Sequence, residues 1–164
     1  MKFSPMEKLT EYFKKRDFSK SPEPQATRKF KRGKEPIFVI QRHEATHLHY
    51  DFRLEKDGVL KSWAIPKQPP TEFNIKRLAI QVEDHPLDYA DFAGEIPHGL
   101  YGAGKVKIWD KGSYALQEWG PQKIIFELKG DRLRGNYCLL KLRPKLSEDK
   151  NWLFFKVSDF QSDS

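Results

Sequence analysis

Gln41-Arg42-His43-Glu44-Ala45-Thr46-His47-Leu48-His49-Tyr50-Asp51-Phe52-Arg53-Leu54-Glu55 decides how this chain folds. At the strand period of two, His47, His49, Asp51, Arg53 and Glu55 share one face, and Leu48, Tyr50, Phe52 and Leu54 share the other. Five ionisable groups in register are too many for an ordinary outer face. Residues two apart on a strand place their Cα atoms roughly 6.5–7 Å apart with parallel side chains. One metal ion, bound through contacts of about 2.0–2.2 Å, can span His49 and Asp51. On a single continuous strand His43 would stand about 20 Å from His49. A hairpin turn at Glu44-Ala45-Thr46 removes that distance, and the strand-forming run Ile37-Phe38-Val39-Ile40 makes a hairpin natural. Pairing His43 with His47 puts Gln41 opposite His49 and leaves His43 on the diagonal, roughly 7–8 Å away. The expected cluster is His43, His49 and Asp51, supported by Gln41.

The rest of the chain sets the frame. Its 164 residues suffice for one domain with a working core. The single cysteine, Cys138, excludes an internal disulfide and fits a reducing compartment; its apolar neighbours mark a structural thiol. No run is apolar enough to span a membrane and the start is no secretory signal, so a cytoplasmic location is expected. The net charge is +7, and residues 1–34 alone carry 11 Lys or Arg against 4 Asp or Glu. The whole excess therefore sits in the N-terminal arm, a footprint suited to a polyanion such as nucleic acid.

Ser4-Pro5-Met6-Glu7 reads as an N-cap, first-turn proline and capping-box glutamate, and predicts a short helix from Pro5 to about Lys15. From Pro36 the pattern is strand throughout. Asp57-Gly58 marks a hairpin before Val59–Ile65. Arg77 to His85 alternates, with Arg77, Ala79, Gln81, Glu83 and His85 on one face. Asp84 to Tyr89 reads as a turn, and Gly94 to Gly104 as a glycine-punctuated loop. Further strands are Lys105–Trp109, Ser113–Gln117, Ile124–Lys129, Leu133–Leu142 and Trp152–Val157, with turns at Asp110-Lys111-Gly112 and Lys129-Gly130-Asp131.

Eight or nine short strands and one helix fit an antiparallel barrel or a sandwich. We favour a mainly β fold, a closed or nearly closed barrel of about eight strands, with residues 1–34 as an arm over the site and 35–164 as the barrel. Two polar-faced strands turned inward would give the barrel a wet, charged central pocket.

Two imidazoles and a carboxylate without thiolate suit Mn²⁺ or Zn²⁺. Arg53 and Arg77 are bidentate phosphate binders. His85 can serve as a general acid or bind the phosphate. Together these groups suit phosphoryl transfer to water.

Phe38-Val39-Ile40-Gln41 through His43, then Leu48 to Leu54, Leu60 to Lys67 and Val82 to Tyr89, together with Arg16-Asp17-Phe18 and Pro22-Glu23-Pro24, resemble the phosphoesterase module of bacterial DNA ligase D. The resemblance covers nearly the whole chain, here as an expected stand-alone module. It implies a Mn²⁺-dependent β-barrel enzyme that heals 3′ ends of DNA or RNA-terminated primers, removing a terminal ribonucleoside and then the 3′-phosphate. It implies that His43, His49 and Asp51 hold the metal and that Arg16, Arg53, Arg77, Lys67, His85 and Tyr89 engage phosphate or assist catalysis. Asp17, Glu23, Gln41 and Glu83 would support them. A separate ligase or polymerase would be a plausible partner. Two positions depart from the pattern: His47 stands where arginine or another long polar residue is expected, and His98 where an acidic one is. The competing readings are a non-catalytic module that binds nucleic-acid ends, and a metal enzyme acting on small phosphoesters.

Overall fold

The computed structural model describes residues 3–26, 33–144 and 149–158. Most of the basic run Arg28–Lys34 lies outside them. Strands β1 (Ile37–Glu44), β2 (Leu48–Lys56), β3 (Val59–Ile65), β4 (Lys76–His85), β5 (Gly94–Ile96), β6 (Gly104–Trp119), β7 (Lys123–Lys129), β8 (Arg134–Lys141) and β9 (Asn151–Lys156) form one antiparallel sheet. Its order is β1-β2-β3-β4-β9-β8-β7-β6, closed by β6 pairing with β1, so eight strands make the barrel. The short β5 pairs with the start of β6, on the edge opposite β1.

The interior is apolar. Phe52 on β2 meets Phe126 on β7 and Phe154 on β9 across the barrel, at ring centroid distances of 5.8 and 4.8 Å. Trp63, Trp152, Tyr137, Leu54 and Ile65 complete this core. An eight-stranded barrel is just wide enough for side chains to fill it, and the large apolar face of β2 does so. The expected charged interior is therefore corrected: the face bearing His49, Asp51 and Arg53 points outward, and the pocket lies on the outer wall of β1–β4.

A second apolar layer roofs that wall. Leu9 and Tyr12 of the arm, with Tyr89, Ala90 and Phe92, pack against Val39, Val59 and Leu60. The predicted N-terminal helix is two short ones, α1 (Pro5–Lys8) and α2 (Thr10–Lys14). The capping box at Ser4 and Glu7 forms as read. Leu9 separates the helices, and the arm docks by setting Pro5 against Gly58 and by a Lys8 Nζ bond to the Asp57 carbonyl. Residues Leu87–Asp91, read as a turn, form a 3₁₀ helix.

Asp110-Lys111-Gly112 is not a turn. It lies inside the long β6, which pairs with β1 through its first half and with β7 through its second. The Asp110 carboxylate instead accepts from the backbone N–H groups of Asp131 and Leu133, 2.9 and 2.8 Å away, and so caps the next turn. Gly112 is required there because a Cβ would collide with the carbonyl of Lys129. Cys138 is free and buried. Among the described residues no helix is long and apolar enough to cross a membrane.

Candidate metal and phosphate site

The β1–β2 hairpin brings the three ligand candidates together. Its register is His43 opposite His49 and Gln41 opposite Asp51. The expected His43–His47 pairing is corrected by two residues, because Ala45, Thr46 and His47 form the loop. The result is closer than a diagonal: the two imidazoles are 4.7 Å apart between centroids. His43 Nδ1 lies 3.5 Å and His49 Nε2 3.4 Å from opposite oxygens of Asp51. One ligand atom from each residue lies within 4.8 Å of the others.

The tautomers favour a cation. His43 Nε2 is 2.7 Å from the carbonyl of Gly102, and His49 Nδ1 is 3.0 Å from the carbonyl of His47. A carbonyl only accepts, so each ring holds its proton there and turns its lone pair towards Asp51. Two lone pairs and a carboxylate this close together could hold a divalent metal ion. Burial opposes the charge of Asp51, but His43, His49 and Arg53 hold its carboxyl far below the usual range. Burial also opposes protonation of His49, yet Asp51 draws its pKa upward.

Arg53 stands behind this cluster. Its Nε–H donates to Gln41 Oε1 at 2.7 Å, and Gln41 Nε2 donates to the carbonyls of Tyr89 and Phe92. Its guanidinium lies 4.7 Å over the Tyr89 ring, and one Nη2 is 3.6 Å from Asp51. Nη1 is buried without a hydrogen bond among the described residues. An orphaned cationic donor in a cavity wall is a place for an anion.

Arg16 comes from the arm. It pairs with Glu23 at 3.0 Å and Glu83 at 3.2 Å, and its Nη2 lies 3.3 Å from His85 Nε2. Glu23 also accepts from the Tyr89 hydroxyl at 2.7 Å and the Ser21 hydroxyl at 2.8 Å. His85 Nδ1 sits 2.9 Å from the Glu83 carbonyl, which places the proton on Nδ1 and leaves Nε2 as the acceptor facing Arg16. Burial, with Arg53 and Arg16 alongside, pushes the His85 imidazole well below its ordinary value, so it is neutral here. Burial pushes the Tyr89 phenol well above its own.

Arg16, Glu23, His43, His49, Asp51, Arg53, Glu83, His85 and Tyr89 thus all line one cavity of about 280 Å³. Gln41 supports it from beneath. Three expected residues lie elsewhere. Arg77 is at the far end of β4, roughly 25 Å along the strand from His85, and donates to the Gln68 carbonyl. The single face read for Arg77–His85 is broken by a bulge: Ser62 pairs with Val82 but Leu60 with His85. That extra residue turns Ala79 into the core and His85 out to the site. Lys67 is exposed on the loop after β3 and is not among the residues of the cavity wall. Asp17 accepts from Ser19 and shapes the arm's bend without reaching the cavity. His47 and His98 are exposed and line a neighbouring open cleft.

The sequence reading missed Tyr12, Ser62 and Tyr101. Tyr12 is fully buried, meets the His85 ring edge-to-face at 5.1 Å and lies under the Arg16 guanidinium.

Residues 41–141 match the model of the DNA ligase D 3′-phosphoesterase domain. The chain belongs to that family. The phosphoesterase domain is 46% identical over 164 aligned residues to the multifunctional non-homologous end joining protein LigD of Pseudomonas aeruginosa, covering 95% of this chain and 19% of that protein. It is 50% identical over 139 residues to LigD of Mycobacterium bovis, covering 82% of this chain and 18% of the relative. For Mycolicibacterium smegmatis LigD the identity is 43%, covering 93% and 21%. The chain spans about a fifth of the length of these relatives. The phosphoesterase match begins at Gln41, on the hairpin that carries His43, His49 and Asp51.

Proposed function

We propose that the chain is a Mn²⁺-dependent 3′-end-healing phosphoesterase acting on DNA or RNA-terminated primer ends. It would cleave the diester of a terminal ribonucleoside and hydrolyse the remaining 3′-phosphate. The observation that carries this reading is the buried, unpartnered Nη1 of Arg53 in the wall of the cavity that holds the His43–His49–Asp51 cluster. Family membership supports the reaction class, and the end-joining relatives support a nucleic-acid terminus as substrate.

His43, His49 and Asp51 would hold the ion, which supplies Lewis-acid polarisation of a phosphoryl oxygen. The mixed nitrogen and oxygen set admits Mn²⁺ and also Zn²⁺. Arg53 and Arg16 flank the phosphate and neutralise its oxygens, with Gln41 and Glu23 fixing their orientation. Tyr89 stacks on Arg53, and its hydroxyl donates a hydrogen bond to Glu23. A bound phosphate anion beside His85 would offset the burial and the two guanidiniums that keep the ring neutral, so that Nε2 would take a proton from solvent and pass it to the leaving oxygen. The placement of Arg77 and Lys67 does not support contact with the reacting phosphate.

Incubation with Mn²⁺ and a primer–template ending in a 3′ ribonucleotide tests this: stepwise loss of the nucleoside and then the phosphate is expected, and no trimming under any divalent ion rejects it. Binding of DNA ends without turnover would favour the end-binding module instead.

A further inference from the structure

The cavity offers more than a reacting phosphate requires. A second, open cleft of about 510 Å³ lies beside it, with His47, His98 and Gly99 in its wall. The two share Ala45, His49 and Gly102. A phosphodiester seated at His49 therefore has one arm towards each. The continuing polymer needs the open cleft, which leaves the smaller, bounded cavity to a single terminal nucleoside.

Tyr101 stands at the mouth of that bounded cavity. It is 47% exposed, which leaves free ring surface. It is also held in place: Lys15 Nζ lies 4.9 Å and the Arg16 guanidinium 5.2 Å from its ring centroid. Its hydroxyl lies 3.5 Å from both Lys15 Nζ and Glu83. The loop beneath it is fixed by bonds from Leu100 N–H to the Pro97 carbonyl and from Ala103 N–H to the Leu100 carbonyl. The next residue, Gly102, has φ +74° and presents the carbonyl that orients His43. An anchored, half-exposed phenol at the edge of this cavity, with Lys15 and Arg16 against its ring, has the properties of a stacking surface for a nucleobase, which any base can use through its π face.

We propose that Tyr101 is the platform on which the base of the 3′-terminal nucleoside stacks, so that this ring favours termini that bear a base over a bare phosphate. The inference rests on the phosphoesterase reading of the site. Tyr101 is a positioning residue and touches no reacting atom.

The test compares wild type, Tyr101→Leu and Tyr101→Phe on primer–templates ending in a ribonucleoside, an abasic ribose or a 3′-phosphate, with Mn²⁺. For Tyr101→Leu, KM for the ribonucleoside end should rise about 5- to 150-fold, the factor that base–aromatic stacking carries. Its kcat and its 3′-phosphate reaction should change far less than that KM, and Tyr101→Phe should restore KM. Wild type on the abasic end should match Tyr101→Leu on the natural one. Equal loss on both reactions, no loss on either, or wild-type indifference to the missing base would overturn the proposal. Wild-type inactivity on all three ends would instead bring down the phosphoesterase reading, and the platform with it.

Discussion

Gln41 Oε1 accepts the Nε–H of Arg53 at 2.7 Å while Gln41 Nε2 donates to the Tyr89 and Phe92 carbonyls. One buried amide thus ties the guanidinium on β2 to the 3₁₀ helix and its exit. Gln41→Leu leaves a donor on Arg53 and two carbonyls without partners. A buried unsatisfied group costs about 1–3 kcal/mol, so a loss of about 3 kcal/mol in urea unfolding is expected. The freed guanidinium should also lower kcat by about 100-fold, as small misplacements of a clamping group do. Unchanged stability with unchanged kcat would show that Arg53 holds itself.

Much of this site was legible in the sequence, and the failures have physical causes. The hairpin and the gathering of His43, His49 and Asp51 followed from alternation around a turn; strand count left a barrel or a sandwich, and the barrel formed although the polar faces expected inside it point outward. Inside and outside were exchanged because alternation separates two faces without saying which is roofed. The roof comes from Leu9, Tyr12 and Phe92, distant in sequence from the strands they cover. Arg77 was placed on the site face because a bulge has no signature in the pattern Arg77–His85, yet it reverses every residue beyond it. Tyr101 was silent because a lone aromatic in a glycine-rich loop gains meaning only from the cations that close on it.

His49→Ala removes one of the two imidazole lone pairs aimed at Asp51. A single His and a carboxylate bind a divalent ion poorly. Mn²⁺ titration followed by electron paramagnetic resonance should show loss of the tight site, and both phosphoesterase reactions should disappear. The barrel should stay folded, since His49 is at the half-buried rim of β2 and outside the apolar core. Full activity in this variant would remove the cluster from the mechanism.

His85 predicts a pH dependence of stability. Its folded-state pKa lies well below the ordinary imidazole value of 6.5, because burial and the neighbouring Arg53 and Arg16 disfavour the charged ring. The unfolded chain therefore binds this proton first as pH falls. Stability from this group is fully present above about pH 6.5 and is lost as pH falls from there towards the folded value. Metal-free unfolding at pH 7.5, 6.5 and 5.5, compared between wild type and His85→Gln, isolates the effect from the oppositely shifted His49. A flatter acid limb in the variant is expected; parallel profiles would mean that the ring is already protonated in the native protein.

Arg16→Met tests how the arm is held. The substitution leaves Glu23 and Glu83 facing one another without the guanidinium, and the side chain of each of the three is at most 5% exposed. Breaking a buried pair by removing one partner costs about 3–5 kcal/mol. The arm has a cheaper response than global unfolding, because it can lift off and hydrate both carboxylates. The bonds that protect its amides are local, among them Phe13 N–H to Leu9 and Lys20 and Ser21 N–H to Asp17. Hydrogen exchange should therefore quicken at Phe13, Lys20 and Ser21 and stay slow at Phe126 and Leu139 in the barrel. Uniform acceleration across both sets would mean that the arm and the barrel unfold as one unit, and that the cavity roof is inseparable from the fold that carries it.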